Sequence, residues 1–138
     1  MSLFKGLTDQ EMLKLIRLTD EIEVDAVQTI IEEGTAGNEL FVLLEGEVEV
    51  ESGQVSLTRL GPGAQFGELA LVNDRPRSAT VRSITPVRLL VLRRDDFVEL
   101  TRSGDMAPKL LWNLINDIAD RLRTTNWQLS EQVRLFNE

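Results

Sequence analysis

Apolar residues change their spacing twice along the chain. In residues 8–18, TDQEMLKLIRL, Met12, Leu15, Ile16 and Leu18 recur at helical intervals. Thr8 and Glu11 have the spacing of a capping box. A helix is predicted here, with LFKGL before it as a short lead-in. From Glu21 to Leu92 the period shortens to two. EIEV alternates, TIIEEG is a β-branched run ending at Gly34, and ELFVLLEGEVEVESG is the clearest strand pattern. In it Val48 and Val50 alternate with Glu47, Glu49 and Glu51, giving an apolar face and an acidic, solvated one. QVSLTRL, the turn Gly61 to Gly63, ATVRSI and VRLLVLR complete the set. Short strands separated by Gly, Pro, Asn and Asp predict a β-sandwich or barrel-like roll.

After Leu92 the pattern turns helical again. Asp95 or Asp96 is positioned to cap DFVELTRS, and Gly104 to end it. A second helix starts near Met106 or Pro108, and no glycine or proline interrupts residues 109–138. At about 1.5 Å per residue it reaches roughly 45 Å. The fold class is therefore mainly β with flanking helices, in one domain over 1–138. An N-terminal helical lead-in spans 1–19, a β-roll 20–93, and C-terminal helices 95–138.

The last helix carries a heptad seam. Leu111, Ile115, Ile118, Leu122, Thr125, Leu129, Gln132 and Phe136 are alternately four and three residues apart. Asn113, Asp117, Asp120, Arg123 and Asn126 form the opposite, polar face. Packing on the domain's own roll is one use of the stripe. Its length favours the other, a parallel two-fold homodimer. Leu110, Leu111 and Leu114 are expected to pack on the roll in both. Thr125 and Asn126 are polar at or beside the seam. They fit a register device, and equally a contact with something held in the roll.

Composition narrows the chemistry. The 138 residues include no cysteine, histidine or tyrosine. Disulfides, thiolate nucleophiles and the commonest general base and metal ligand are excluded, and with histidine goes a cupin-like metal enzyme. A net charge of −8, from 15 basic and 23 acidic residues, disfavours direct nucleic-acid contact. No apolar run approaches the roughly 20 residues of a membrane span, and the N-terminus has no signal-peptide core. A cytoplasmic, non-catalytic protein is expected, with no metal and no cofactor.

One string holds a candidate site, FGELALVNDRPRSATV at residues 66–81. Gly67, Glu68, Leu69 and Ala70 look like the start of a helical turn, whose N–H groups suit an anion. Pro76 stiffens the approach to Arg77, whose guanidinium can grip a phosphate with two parallel hydrogen bonds. Ser78 adds a hydroxyl. Glu68 is an acceptor suited to a sugar hydroxyl. A surface ion pair of Glu68 with Arg77 or Arg75, worth at most about 1 kcal/mol, fits the same residues.

The whole string closely resembles the phosphate-binding cassette of the cyclic-nucleotide-binding domain family: F-G-E-hydrophobic-A-L, a short loop, then P-R, a small residue, A and T. EEGTAGNELFVLLEGEVEV is similar to the family's glycine-bounded strand pair, with Gly34, Gly37 and Gly46 at its turns, and LGPGAQFGE to its lead-in. The resemblance covers about residues 3–125. It implies an eight-stranded β-roll with an N-terminal helix and two C-terminal helices. It implies that Arg77 binds the cyclic phosphate and Glu68 the ribose 2′-hydroxyl. Gly67, Leu69 and Ala70 would form the backbone cradle, with Ser78 and Ala79 contributing after the arginine and Arg75 taking no part. DRLRTTNWQL is similar to the base-contact region of the catabolite activator protein subfamily. That likeness implies that Thr125 meets the base in the same subunit and Asn126 the ligand of the other; serine is frequent at the Asn126 position. Two departures follow from the chain's end at Glu138: no helix-turn-helix domain and no catalytic or channel domain are expected. The resulting expectation is a dimeric, non-catalytic sensor of a cyclic nucleotide, cAMP before cGMP. The alternatives are a ligand-free dimerisation module and the sensory half of a DNA-binding regulator.

Overall fold

The computed structural model describes residues 2–53, 55–102, 104 and 106–120. Helix α1 spans Asp9–Leu18 and starts as expected. The Thr8 hydroxyl accepts from the Glu11 N–H at 3.2 Å, and the Glu11 carboxylate accepts from the Thr8 N–H at 2.9 Å. This reciprocal pair satisfies two of the donors that a helix start leaves without partners. Leu15 is buried, but Ile16 is 47% exposed. The apolar face of α1 is thus narrower than its spacing predicts.

Among the described residues eight strands form two antiparallel four-stranded sheets. They are β1 (Asp20–Val24), β2 (Thr29–Ile31), β3 (Glu39–Glu45), β4 (Val48–Ser52), β5 (Val55–Leu60), β6 (Gln65–Phe66), β7 (Thr80–Ser83) and β8 (Val87–Arg93). One sheet has the order β1-β8-β3-β6, the other β2-β7-β4-β5. Seven of these strands are legible as hydrophobic runs. β6 is only two residues long, too short for any period, and exists because Phe66 and Gln65 pair with Phe41 and Val42.

In the first sheet, β3 and β8 are buried on both faces, while β1 is largely exposed. Phe41, Leu43, Leu89 and Val91 pack inward against Val48 and Val81 of the second sheet. Leu40, Val42 and Leu92 point the other way, into a cluster with Leu15, Phe97, Leu100, Leu110 and Leu114 from the helices. That double burial explains the unbroken apolar run in β3, where a half-exposed strand would alternate. The second sheet has one solvated face, and there Glu51 pairs with Arg82 at 2.8 Å.

Helix α2 spans Arg94–Thr101. Its N-cap is Arg93, with no side-chain cap bond. Asp95 and Asp96 lie inside the first turn, where their charge favours the helix dipole. Residues 106–120 are helical and form α3. Leu110 and Leu114 are buried against the roll as expected, whereas Leu111 is 45% exposed. Of the seam positions described, Leu111 and Ile115 face outward and Ile118 packs on the helix-side core. The polar face of α3 turns toward the domain. Asn113 donates to the carbonyls of Leu3 and Lys5 at 2.9 and 2.7 Å. No described helix is long and apolar enough to cross a membrane.

Candidate functional site

Phe66 ends β6 with its ring stacked on Phe41, centroids 5.3 Å apart. The chain then turns at Gly67, whose φ of +83° is costly for any residue with a Cβ. It enters a single 3-10 turn, Glu68–Leu71. Ala70 and Leu71 are buried, and Leu71 joins the helix-side core. Glu68 is buried too, at 3% exposure, so a surface ion pair does not describe it. The residue has interactions of its own, while its Oε2 atom accepts no hydrogen bond among the described residues. Within the turn the Ala70 N–H donates to the Gly67 carbonyl at 3.1 Å.

Arg77 returns to this turn from a loop nine residues on. Its own backbone is fixed. The Arg77 N–H donates to Thr35 O, and its carbonyl accepts from the Gly34 N–H, both at 2.9 Å. The guanidinium donates from Nη1 to Gly67 O at 3.3 Å and from Nη2 to Glu39 O at 3.0 Å. Burial holds its pKa below the ordinary arginine value. Glu39 opposes that shift and Arg94 adds to it. An arginine so shifted stays protonated at neutral pH. The structure thus brings Gly67, Glu68, Leu69, Ala70 and Arg77 together. Ser78, exposed, and Ala79, half-buried, follow directly. The Arg75 N–H donates to the Asn73 side chain at 3.0 Å, in a local turn, and its side chain is exposed. Thr125 and Asn126 lie outside the described residues.

Three further residues shape the site. A Cβ at Gly37 would lie 2.5 Å from Arg77 Nε and 2.7 Å from Nη2. The guanidinium therefore rests against bare backbone at Gly37. Glu39 supplies the second carbonyl through the same loop. The spacing of glycines marks position 37 only as a turn. Arg94 opens α2 and braces the cassette from behind. Its N–H donates to Asn38 O at 2.8 Å. Its guanidinium donates to Ala70 O and Asn73 O, each at 2.6 Å, and to the Asp74 carboxylate. Nothing local announces this role, because those partners are 20 to 24 residues away in sequence. No cluster of metal-ligating side chains occurs among the described residues.

Chemically, this is a partly buried cation hydrogen-bonded to the Gly67 carbonyl, next in sequence to a buried carboxylate residue, and mounted on two loops and a strained turn. Such a pair can hold a group carrying an anion at one end and a hydroxyl donor at the other. Comparison with known proteins identifies the family and the fold. The profile of the cyclic nucleotide-binding domain family matches residues 21–103. The chain is 35% identical over 116 residues to the cGMP-dependent protein kinase egl-4 of Caenorhabditis elegans, covering 83% of the chain and 15% of the kinase. It is 28% identical to the catabolite activator protein of Thermus thermophilus, with a TM-score of 0.86 over 94% of this chain and 62% of that one. It is also 33% identical to the regulatory domain of Toxoplasma gondii PKA solved with cAMP. There the TM-score is 0.65, over 71% of this chain and 39% of that one. The chain spans less than a quarter of the length of the kinase it matches.

Proposed function

Because the chain belongs to the cyclic nucleotide-binding domain family, we propose that its Glu68–Arg77 site binds a 3′,5′-cyclic nucleotide, cAMP before cGMP, and that the protein works as a non-catalytic, homodimeric sensor. The observation that carries the reading is the seating of Arg77. Its guanidinium lies against Gly37 and is steadied by Gly67 O and Glu39 O, at the head of the turn that carries buried Glu68. One cation and a nearby carboxylate match one phosphate charge joined to a sugar hydroxyl. Arg77 takes the phosphate oxygens, with the turn of Gly67, Leu69 and Ala70 and the following Ser78 and Ala79 completing the cradle. Glu68 takes the ribose 2′-hydroxyl. Thr125 and Asn126 are assigned to the base. The cAMP-bound Toxoplasma domain and the cGMP-dependent kinase support the ligand class. The outward-facing Leu111 and Ile115 support pairing through α3.

Titration calorimetry of nucleotide-free protein with cAMP and cGMP tests the reading. Arg77→Ala should lose about 2–5 kcal/mol of binding free energy, the usual cost of removing one partner of a buried charge pair. A variant that binds as tightly as the wild type removes Arg77 from the phosphate role.

A further inference from the structure

Gln65 sits two residues before the glycine that opens the site, and its side chain leaves that site altogether. Its Oε1 accepts from the Leu3 N–H at 3.0 Å, and its Nε2 donates to Asp117 Oδ2 of α3 at 2.9 Å. Both bonds are partly buried. A donor bonded to a carboxylate is of the stronger kind. The residues between Gln65 and the ligand side are stiff. Phe66 is stacked on Phe41, and both Gln65 and Phe66 are paired with β3. The next carbonyl, Gly67 O, accepts from Arg77 Nη1. A short path of two hydrogen bonds joined by the backbone of residues 65–67 therefore runs from Arg77 to Asp117.

The geometry points to Gln65 and Asp117 as positioning residues for the nucleotide: their hydrogen bond ties the turn that holds Glu68 to helix α3, so the seating of α3 sets ligand affinity. This rests on the function proposed above. Asp117 faces the body of its own domain, one helical turn from Asn113, which is fastened to the N-terminal segment. The α3 helix is thus held on the roll by two consecutive polar contacts beside Leu110 and Leu114. Movement of α3 must either drag β6 or break the Gln65 bond. By linkage, a ligand that alters the seating of α3 has its own affinity altered by the same factor.

The test uses the whole chain. Gln65→Glu keeps an acceptor for the Leu3 N–H but sets a second carboxylate against Asp117. Calorimetry should report a cAMP affinity lower by about fivefold or more. Adding Asp117→Asn reverses the polarity of the bond, with the asparagine amide donating to the new glutamate. Affinity should return to within about twofold of wild type, as expected of a directly coupled pair. Hydrogen exchange provides the second readout. The cAMP-dependent change in protection of residues 106–120 should vanish in Gln65→Glu and reappear in the double variant. A contact that only stabilises the fold would lower the melting temperature and leave both readouts unaltered, and that result overturns the inference while the proposed function stands. Unaltered or tighter binding in Gln65→Glu overturns it as well. A wild type that binds neither cAMP nor cGMP removes the proposed function, and this inference with it.

Discussion

Adding a single methyl group at Gly37 should damage ligand binding while leaving the fold nearly intact. Gly37 is not among the glycines with positive φ, so alanine suits its backbone. The new Cβ, however, would lie 2.5, 2.7 and 2.9 Å from Nε, Nη2 and Cζ of Arg77. Comfortable non-bonded contact begins near about 3.5 Å, so the guanidinium must retreat by about 1 Å. Its bonds to Glu39 O and Gly67 O are 3.0 and 3.3 Å long, and that retreat carries both past the hydrogen-bond range. Bonds from a charged donor are worth about 1.5–3 kcal/mol net each when buried. Arg77 is half-buried, so water recovers part of that. The displaced cation also loses its alignment with the phosphate. Together these give an expected affinity loss of about tenfold to a hundredfold. Stability should fall by less than the sum of the two bonds, because water solvates the displaced half-buried guanidinium and Gly→Ala at a compatible position gains about 0.4–1 kcal/mol from the unfolded chain. Calorimetry with cAMP and a urea melt separate the two effects. An affinity within about twofold of wild type, with the melt unchanged, would refute the idea that bare backbone at Gly37 seats the arginine. Gly67→Ala is the contrasting variant. Its φ is +83° and its Cβ would meet the Glu39 carbonyl at 2.9 Å, so about 1–3 kcal/mol of fold stability should go with the binding.

Other parts of the structure make independent predictions. Val27 is a β-branched residue at φ +59° and 71% exposed; relief of that strain in Val27→Asn should raise stability by about 1 kcal/mol, and an unchanged urea midpoint would contradict it. Glu11 is held below the ordinary carboxylate value of 4.5, first by the hydrogen bond from Lys109 and then by the Thr8 N–H. With the folded pKa below the unfolded one, its contribution is present above about pH 4.5 and fades as pH falls through the lower, folded value. Glu11→Gln should therefore flatten the acid limb of the stability profile, and an acid limb parallel to the wild type would refute the assignment. Leu111→Glu with Ile115→Glu places two charges on exposed positions of α3. On the proposed pairing, sedimentation equilibrium should shift from twice the chain mass for the wild type to the chain mass for the variant, and a variant that still sediments as a dimer would remove α3 as the pairing surface.

Local chemistry and period were enough to announce much of this protein. The capping box at Thr8 and Glu11 forms as its spacing requires, because both partners lie within one turn. The strand runs and the 66–81 string carry the fold class and family in their order alone, since alternation and turn residues act between neighbours. Ile16, Leu111 and the N-cap of α2 came out otherwise. A helical period marks an apolar stripe but leaves open how much of it another element covers. Leu110 and Leu114 find the roll, while Leu111, one position round, meets solvent. The strand β6 has no period to show, and needs β3 to exist.

The site divides in the same way. Glu68 and Arg77 are visible in sequence because a loop of fixed length joins them. Their depth is a tertiary outcome: Glu68 is buried on a turn whose Leu71 packs into the helix-side core. Gly37 and Glu39 reach Arg77 across 38 to 40 residues, Arg94 reaches Ala70 across 24, and Asp117 reaches Gln65 across 52. Sequence by itself determined which groups carry charge and which segments form strands and turns. The packing of two sheets and three helices decided which of those charges lose water and face one another, because burial and long-range hydrogen bonds arise only when distant segments are brought into contact.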